Sequence, residues 1–337
     1  MASLPHHTPY DGSSKPFTVG LKPLELSRWL EVDEHRDAYL AEKRRLYDEM
    51  PDKVFVAEEG TQAAQQEVLE LVAAYLAENF PELTAGAPST AFGGPPPPLR
   101  RGGPTAADGR KLDPPPFTGE GDHGKRGGGG MGAWLSAQPL HAASLLVQED
   151  LILMRRDESG WRLVAGSLCF PSSWSLQEKF GKPLHVMHEP VPGFGPGTRL
   201  AEIINRMFDG LQGQAVERYN WSIQANDALY HPLSNTQRID RATNRPSKFP
   251  DGDIDAHAFI RVERQTLRKL PVARDVLFTI GIHLDPLKVL VTHPDRAALA
   301  ASFAEQLGAL DQAQLDYKGL TADRDRLVER LREMSRD

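Results

Sequence analysis

The sequence has very little cysteine, no excess of positive charge and no long apolar run, and each absence excludes a class of protein. Cys169 is the only cysteine among 337 residues, so neither an internal disulfide framework nor a metal site made of cysteines alone can form. The formal net charge of −7 argues against nucleic-acid binding, which requires basic side chains to neutralise phosphates. No apolar run approaches the roughly 20 residues that cross a bilayer, and the first residues lack a secretory pattern. We therefore expect a cytoplasmic protein that binds neither nucleic acid nor membrane.

One segment departs strongly from the rest in composition. Glycine and proline make up 23 of the 48 residues in 85–132. Ordering such a segment loses much backbone entropy, and few apolar groups are present to compensate, so it is predicted to be a disordered surface insertion. It could serve as a docking segment or polyproline ligand, but long surface insertions cost little stability, which favours a loop expansion without a role.

This insertion divides the chain into four predicted parts. They are an N-terminal helical part of the core domain (1–84), the insertion (85–132), a sheet region (133–295) and C-terminal helices (296–337). Helical spacing of apolar residues predicts helices at 34–50, 61–79 and 198–211, and two more in the tail with a break near Gly319. Strands are predicted at 144–147, 151–155, 161–170, 219–223, 256–267 and 275–283. Helices that flank antiparallel strands, without a regular βαβ alternation, predict an α+β fold.

The common catalytic motifs are absent from the sequence. It contains no Walker loop, no GxGxxG, no GxSxG and no HExxH, so phosphate cradling, a serine nucleophile elbow and a zinc-protease helix are not indicated. Cys169 lies in an apolar segment, GSLCFP. A nucleophilic thiol needs exposure and a lowered pKa, so we interpret Cys169 as a buried structural residue.

Residues 168–194 form the densest cluster of unusual side chains. His185 and His188 are three residues apart, but Pro183 and two prolines after His188 argue against a regular helix. A stiff loop can hold one imidazole at a fixed angle, which suits an axial metal ligand. Two histidines without a cysteine pair do not suit a closed zinc site, whereas haem needs only one protein imidazole. Alternatively, both histidines are hydrogen-bonded loop residues.

Two predicted strands carry further candidate side chains. In one strand Arg261, Glu263 and Gln265 project to one face, and Val262, Arg264 and Thr266 project to the other. A buried Arg264 would need an anionic partner, for which a haem propionate is one candidate, whereas a solvated strand of mixed charge is the alternative. The other strand contains the run Arg218-Tyr219-Asn220-Trp221, which can line a pocket or belong to the core.

Several ordered segments together resemble the haem-dependent oxidative N-demethylase family, in its α-subunit-like members (the HRQ family). They are residues 17–30 (FTVGLKPLELSRWL), 147–153 (VQEDLIL), 161–174 (WRLVAGSLCFPSSW), 178–193 (EKFGKPLHVMHEPVPG), 218–223 (RYNWSI) and 261–278 (RVERQTLRKLPVARDVLF). The resemblance implies a Per-Arnt-Sim (PAS)-like antiparallel sheet that binds haem b through a histidine. It also implies a monooxygenase subunit that demethylates a small secondary amine such as dimethylamine and releases formaldehyde.

The same resemblance implies roles for particular residues. His188, in the HxPVPG match, is the implied iron ligand, with His185 as the fallback. Arg264 and Arg218 are implied to bind the cofactor. Tyr219 and Glu263 are implied catalytic residues that orient an ammonium or deliver protons.

The resemblance also implies an electron-transfer partner. In the family, as the resemblance implies, electrons come from NADPH through flavin and iron–sulfur subunits. The sequence itself has no flavin motif and too few cysteines for an iron–sulfur centre, so any reductant must be external. Two other functions remain open at this point: a non-catalytic haem sensor or carrier, and an interaction module without a cofactor.

Overall fold

A computed structural model of the chain describes residues 4–84, 132, 134–211, 213–250 and 252–336. The predicted insertion therefore lies outside the described residues except for Gly132, and the four-part division stays a prediction. Within the described ranges, no helix is both long enough and apolar enough to cross a membrane.

One antiparallel sheet of seven strands organises the described residues, in the spatial order β1-β5-β6-β7-β3-β4-β2. The strands are β1 (Lys22–Leu24), β2 (Phe55–Ala57), β3 (Asp150–Asp157), β4 (Gly160–Ser167), β5 (Ala215–Gln224), β6 (Phe259–Lys269) and β7 (Val276–Pro286). The sheet and its flanking helices confirm the α+β prediction, and they are compatible with a PAS-like sheet. Two strands come from the N-terminal part, which was predicted to be helical.

The helices cover the sheet and close its edges. They are α1 (Arg36–Glu49), α2 (Pro51–Val54), α3 (Gln62–Asn79), α4 (Pro81–Thr84), α5 (Pro139–Ser144), α6 (Leu176–Lys179), α7 (Leu184–Met187), α8 (Arg199–Gly210), α9 (Asn235–Asn244), α10 (Ile254–His257), α11 (Arg296–Gly308), α12 (Gln312–Lys318) and α13 (Arg324–Arg336). Short 3-10 turns occupy Leu26–Arg28 and Leu287–Thr292.

Three secondary-structure predictions are wrong in detail. Residues 144–147 are not a strand, because Ser144 ends α5 and the next residues form turns. Residues 254–257 form a helical turn, so the strand predicted from 256 begins at Phe259. The tail holds three helices rather than two, because Asp311 starts α12 with a capping box in addition to the predicted break at Gly319. There Gly319 adopts a φ of 63°, which favours glycine.

Alternation along β5 and β6 gives the sheet two chemically different faces. Tyr219 pairs with Arg264 and Asn220 pairs with Glu263 across the two strands. Side chains of successive residues project to opposite faces. We call one face the Glu263 face; it carries Arg218, Asn220, Arg261, Glu263 and Gln265. We call the other the Arg264 face; it carries Glu217, Tyr219, Arg264, Thr266 and His283.

The free edge of β5 is covered by lysines. β1 pairs only with residues 215–217 of this strand. Further along, Lys318 Nζ donates to the carbonyl of Trp221, and Lys248 Nζ donates to the carbonyl of Ile223 at 2.7 Å. Lysines on an edge strand oppose pairing with another chain. These contacts also hold α12 beside β5, at the border of the Glu263 face.

Candidate functional site

His188 lies where the prolines of its segment allow a single helical turn. Pro183 precedes α7, and His188 follows its last residue, Met187. Its amide donates to the carbonyl of Leu184 at 2.9 Å, and its own carbonyl accepts from Val191 at 2.8 Å. The segment is therefore a helical turn followed by a tight turn, rather than the irregular loop that we expected. Both turns fix the backbone of His188 and hence the direction of its side chain.

The imidazole of His188 is neutral at physiological pH. Burial, followed by the positive charges of Lys179 and Arg218, lowers its pKa to about 3. A hydrogen bond with the backbone of Leu184 acts in the opposite direction. A neutral imidazole has one N–H and one lone pair. Because the N–H makes this hydrogen bond, the other ring nitrogen keeps a lone pair that can bind a metal.

Cationic side chains surround His188 on the Glu263 face. Burial lowers the pKa of Lys179 to about 8, and the charge of Arg238 adds to this shift. Burial also lowers the pKa of Arg218. The buried Nε of Arg218 has no hydrogen-bond partner among the described residues. An unpaired buried cation is costly, so these side chains are suited to receive an anionic group.

Glu263 is a carboxylate whose negative charge stabilises the protonated forms of these cations. Its Oε2 accepts a hydrogen bond from Gln265 Nε2 at 2.9 Å and a longer one from Asn220 Nδ2 at 3.4 Å. Its charge opposes the lowering of the pKa of Lys179, Arg218 and Lys318. The carboxylate is half-buried and oriented by two amides, as a binding group for a cation should be.

Tyr317 links these side chains to a cavity of about 520 Å³. Burial, followed by the charge of Glu263, raises the pKa of this phenol to about 12, so it stays protonated at neutral pH. The cavity is lined by Tyr317 and by Glu189, the residue after His188; its other lining residues are Pro190, Val191, Pro192, Gly193, Gly195, Arg238, Ala242, Ala313 and Asp316. Its volume is in the usual range for a small-molecule site, about 300–1,000 Å³.

His185 occupies a different environment from His188, although it is only three residues away. It lies within α7 and is half-buried. Among the described residues, no hydrogen bond, ion pair or ring contact involves its side chain, whereas the ring of His188 lies 6.2 Å from the ring of Phe194. The two histidines therefore differ in their surroundings.

Arg264 and Tyr219 lie on the opposite face of the sheet from His188. Arg264 is 2% exposed, and it donates to the carbonyls of Trp29 and Arg28 at 3.0 and 2.5 Å. Its Nη2 lies 2.8 Å from Glu217 Oε2, and Tyr219 Oη lies 3.5 Å from the same oxygen. The structure thus brings His188, Arg218 and Glu263 together and places Arg264 and Tyr219 in a separate, internally paired cluster.

A family model described as haem-dependent oxidative N-demethylase, alpha subunit-like, matches residues 20–90 and 127–328. The chain belongs to this family. The membership confirms the resemblance seen in the sequence, and the family name implies haem dependence, an oxidative demethylation and partner subunits.

The Glu263 face fits a haem by the chemistry of its donors. Haem requires one axial ligand, for which a neutral imidazole is common, and its propionates require cations. His188 offers the first, and Lys179 and the unpaired Arg218 Nε offer the second. The Arg264 face fits less well, since Arg264 already has protein partners.

Some members of the cluster had no strong signal in the sequence. Lys179 lies within the segment singled out for its histidines, but a lysine there carries no pattern. Tyr317 and Lys318 come from the C-terminal helices, about 130 residues after His188 along the chain. Arg238 comes from α9. Sequence spacing could not connect them. By contrast, Cys169 is buried, and burial raises the pKa of its thiol to about 12, as the structural interpretation predicted.

Proposed function

We propose that this chain binds one haem on the Glu263 face, with His188 as the axial ligand, and catalyses the oxidative N-demethylation of a small secondary amine. The observation that carries the proposal is a neutral, backbone-held imidazole beside buried cations, one of which has an unpaired N–H. Family membership supports the reaction class.

The residues of this chain have separate tasks in holding the cofactor. His188 would supply the ligand nitrogen, and a hydrogen bond with the Leu184 backbone would fix the orientation of the ring, as hydrogen bonds to ligating histidines generally do. Lys179 and Arg218 would hold the propionates by charge-assisted hydrogen bonds. The sequence-based roles of Arg264 and Tyr219 stay predictions that their placement on the other face does not favour.

Glu263 binds the substrate in this proposal. A secondary amine is a cation near neutral pH, so its site needs a carboxylate. Arg261 Nε lies 3.9 Å from Glu263 Oε1, so the ammonium would share the carboxylate with this arginine. Gln265 and Asn220 hold the carboxylate in position, and Tyr317 keeps its proton and can donate a hydrogen bond.

The overall reaction balances with an external two-electron donor. Haem supplies the activation of O₂ when it is bound. Dimethylamine, O₂, two electrons and two protons give methylamine, formaldehyde and water. With a single cysteine in its sequence, the chain cannot hold an iron–sulfur cluster by itself, so we propose an NADPH-dependent flavin and iron–sulfur partner as the reductant.

Formaldehyde release tests this function directly. The haem-loaded chain is supplied with NADPH, a flavin and iron–sulfur reductase, O₂ and dimethylamine, and formaldehyde is trapped and quantified. We expect release that depends on the amine and falls at least about 100-fold in Glu263→Gln but not in Glu305→Gln, which changes an exposed carboxylate of α11. An amine-induced spectral change without formaldehyde would contradict catalysis and support the haem sensor or carrier.

A further inference from the structure

A second cluster of candidate ligands lies on the Arg264 face, outside the proposed haem site. His7 from the N-terminal segment, Glu31 from the segment before α1 and His283 from β7 each offer an atom within 4.8 Å of the others. His7 Nε2 lies 3.0 Å from Glu31 Oε2, and His283 Nε2 lies 3.1 Å from the same oxygen. Three distant parts of the chain therefore converge on one carboxylate oxygen.

The spacing and type of these atoms match a divalent transition metal. Zinc binds histidine nitrogen and carboxylate oxygen at about 2.0–2.2 Å, so neighbouring ligands around one tetrahedral ion are about 3.3 Å apart. The two nitrogen–oxygen distances of about 3 Å are close to that value. Two histidines with one carboxylate, leaving a position open, are also a common donor set for catalytic zinc.

Asp33 lies near the His283 ring nitrogen that does not face Glu31. Its Oδ2 lies 4.0 Å from Nδ1 of His283, while Glu31 Oε2 lies beside Nε2 of the same ring. Carboxylates thus face both nitrogens of one imidazole, which is only 8% exposed. An imidazolium with two N–H groups, or an imidazole with a metal on Nε2 and its proton on Nδ1, would each suit carboxylates on both sides. Ligating histidines generally have such a carboxylate near their other ring nitrogen.

Neighbouring groups define how Glu31 would bind. Its amide donates to Glu149 Oε1 at 2.8 Å, which fixes the backbone. Arg264 Nε lies 3.5 Å from Oε1, on the side away from His283. The Oε2 atom of the carboxylate thus lies between the Nε2 atoms of His7 and His283.

An adjoining cavity of about 270 Å³ gives the cluster access to solvent. Glu31, Asp33 and His283 are among the residues that line it. The side chains of His7 and Glu31 keep 15% and 29% of their surface exposed. A water molecule from the cavity can complete a four-coordinate site.

We propose that His7 Nε2, Glu31 Oε2 and His283 Nε2 bind one zinc ion or a similar divalent transition metal, with water as the fourth ligand. The site ties the N-terminal segment to the sheet. It lies on the other face from His188 and does not depend on the haem proposal.

Zinc binding by the full chain tests the site. Protein carrying its haem is first treated with a chelator and then titrated with Zn²⁺ by calorimetry. After desalting, its zinc content is measured by mass spectrometry, which distinguishes zinc from haem iron. We expect one zinc per chain. Glu31→Gln and His7→Ala should each weaken zinc binding at least ~10-fold, and Asp33→Asn should weaken it by about 10–100-fold through His283.

His257→Ala is the control, because it removes an exposed histidine of α10 that is not part of the cluster. It should bind zinc as the unmodified chain does, and circular dichroism and haem content should match across all variants. The proposal is overturned if no zinc is retained, if His257→Ala loses as much affinity as His7→Ala, or if His7→Ala still binds one zinc with unchanged affinity. The first result would leave a metal-free hydrogen-bond cluster.

Discussion

Two arginines on neighbouring strands, Arg218 and Arg264, show how a buried charge acquires its role from its partners. Arg264 contacts two backbone carbonyls and Glu217, and it lies near Glu31. Arg218 has an Nε without a partner among the described residues, and burial lowers its pKa. The first arginine is part of the folded framework. The second is available to an anion that the protein itself does not supply.

Replacing Arg264 should cost stability and leave haem binding intact. Arg264→Met leaves the half-buried carboxylate of Glu217 with only a long hydrogen bond from Tyr219 and leaves two carbonyls unpaired, so we expect a loss of about 3 kcal/mol in the free energy of unfolding. Urea unfolding measures this loss, and haem titration of the folded variant at low temperature measures affinity. A loss of haem affinity that exceeds the loss for Arg218→Met would contradict the separation of the two faces.

Replacing Arg218 should have the opposite effects. In the haem-free chain, Arg218→Met removes a poorly paired cation, so the free energy of unfolding should stay the same or rise. In the haem-loaded chain a propionate loses its partner, and we expect affinity for haem to fall about 10-fold, near 1.4 kcal/mol. Hemin titration and urea unfolding of the same preparation give both values. A destabilised haem-free variant with unchanged haem affinity would show that Arg218 is structural.

At the scale of single elements, the sequence correctly predicted features that depend only on neighbouring residues, such as a helix cap and the alternation of side chains along a strand. Thr198 was predicted to cap a helix ending at Leu211, and its side chain accepts from the amide of Ala201 at 3.3 Å at the start of α8. The strand alternation at 261–266 likewise separated Glu263 from Arg264 correctly. Residues 144–147 were misassigned because a short apolar run is compatible with either a strand or the end of a helix.

The cap of α8 gives a prediction at this scale. Thr198→Ala removes the acceptor for the Ala201 amide, so we expect a loss of about 1 kcal/mol in the free energy of unfolding. Thr198→Ser keeps the hydroxyl and should lose much less. Urea unfolding of the three proteins under one set of conditions measures the difference. Equal losses in the two variants would indicate that the threonine methyl, rather than the hydrogen bond, stabilises the helix start.

At the scale of the whole molecule, the site depends on which elements pack next to one another, and the spacing of residues along the sequence does not give this. The α+β class followed from the alternation of patterns, and the family resemblance pointed to His188, Arg218 and Glu263. Sequence could not show that β1 and β2 join opposite ends of the sheet. It also could not show that Tyr317 reaches the Glu263 face, since each depends on long-range packing. Arg264 was correctly expected to need an anion, but protein carboxylates meet that need.

The fully buried Asp150 gives a pH prediction for the whole fold. Burial raises its pKa from 3.8 to about 6, although Lys43 and the amides of Cys169 and Phe170 act in the opposite direction. Between these two pH values the folded chain therefore binds more protons than the unfolded chain. The contribution of Asp150 to the free energy of unfolding is complete below pH 3.8 and is lost as the pH rises through about 6. The loss is about 3 kcal/mol at 1.36 kcal/mol per pKa unit.

Asp150→Asn isolates this contribution, because asparagine does not titrate. Asparagine also loses one of two acceptors for the amides of Cys169 and Phe170, so the variant starts less stable at low pH. The stability advantage of the unmodified chain should shrink by about 2–3 kcal/mol between pH 4 and pH 7. Urea unfolding across this range measures it, and an advantage that stays constant or grows would contradict the raised pKa.

The absorption spectrum of the hemin-reconstituted chain tests the central claim most directly. The unmodified chain and His185→Ala should show the same Soret band and bind one haem per chain. In His188→Ala, the band should shift or disappear and haem affinity should fall at least about 100-fold, because iron loses its protein ligand. Added imidazole should restore the band of this variant. A colourless unmodified chain, or a His188→Ala variant with full haem occupancy and an unchanged Soret position, would contradict the account.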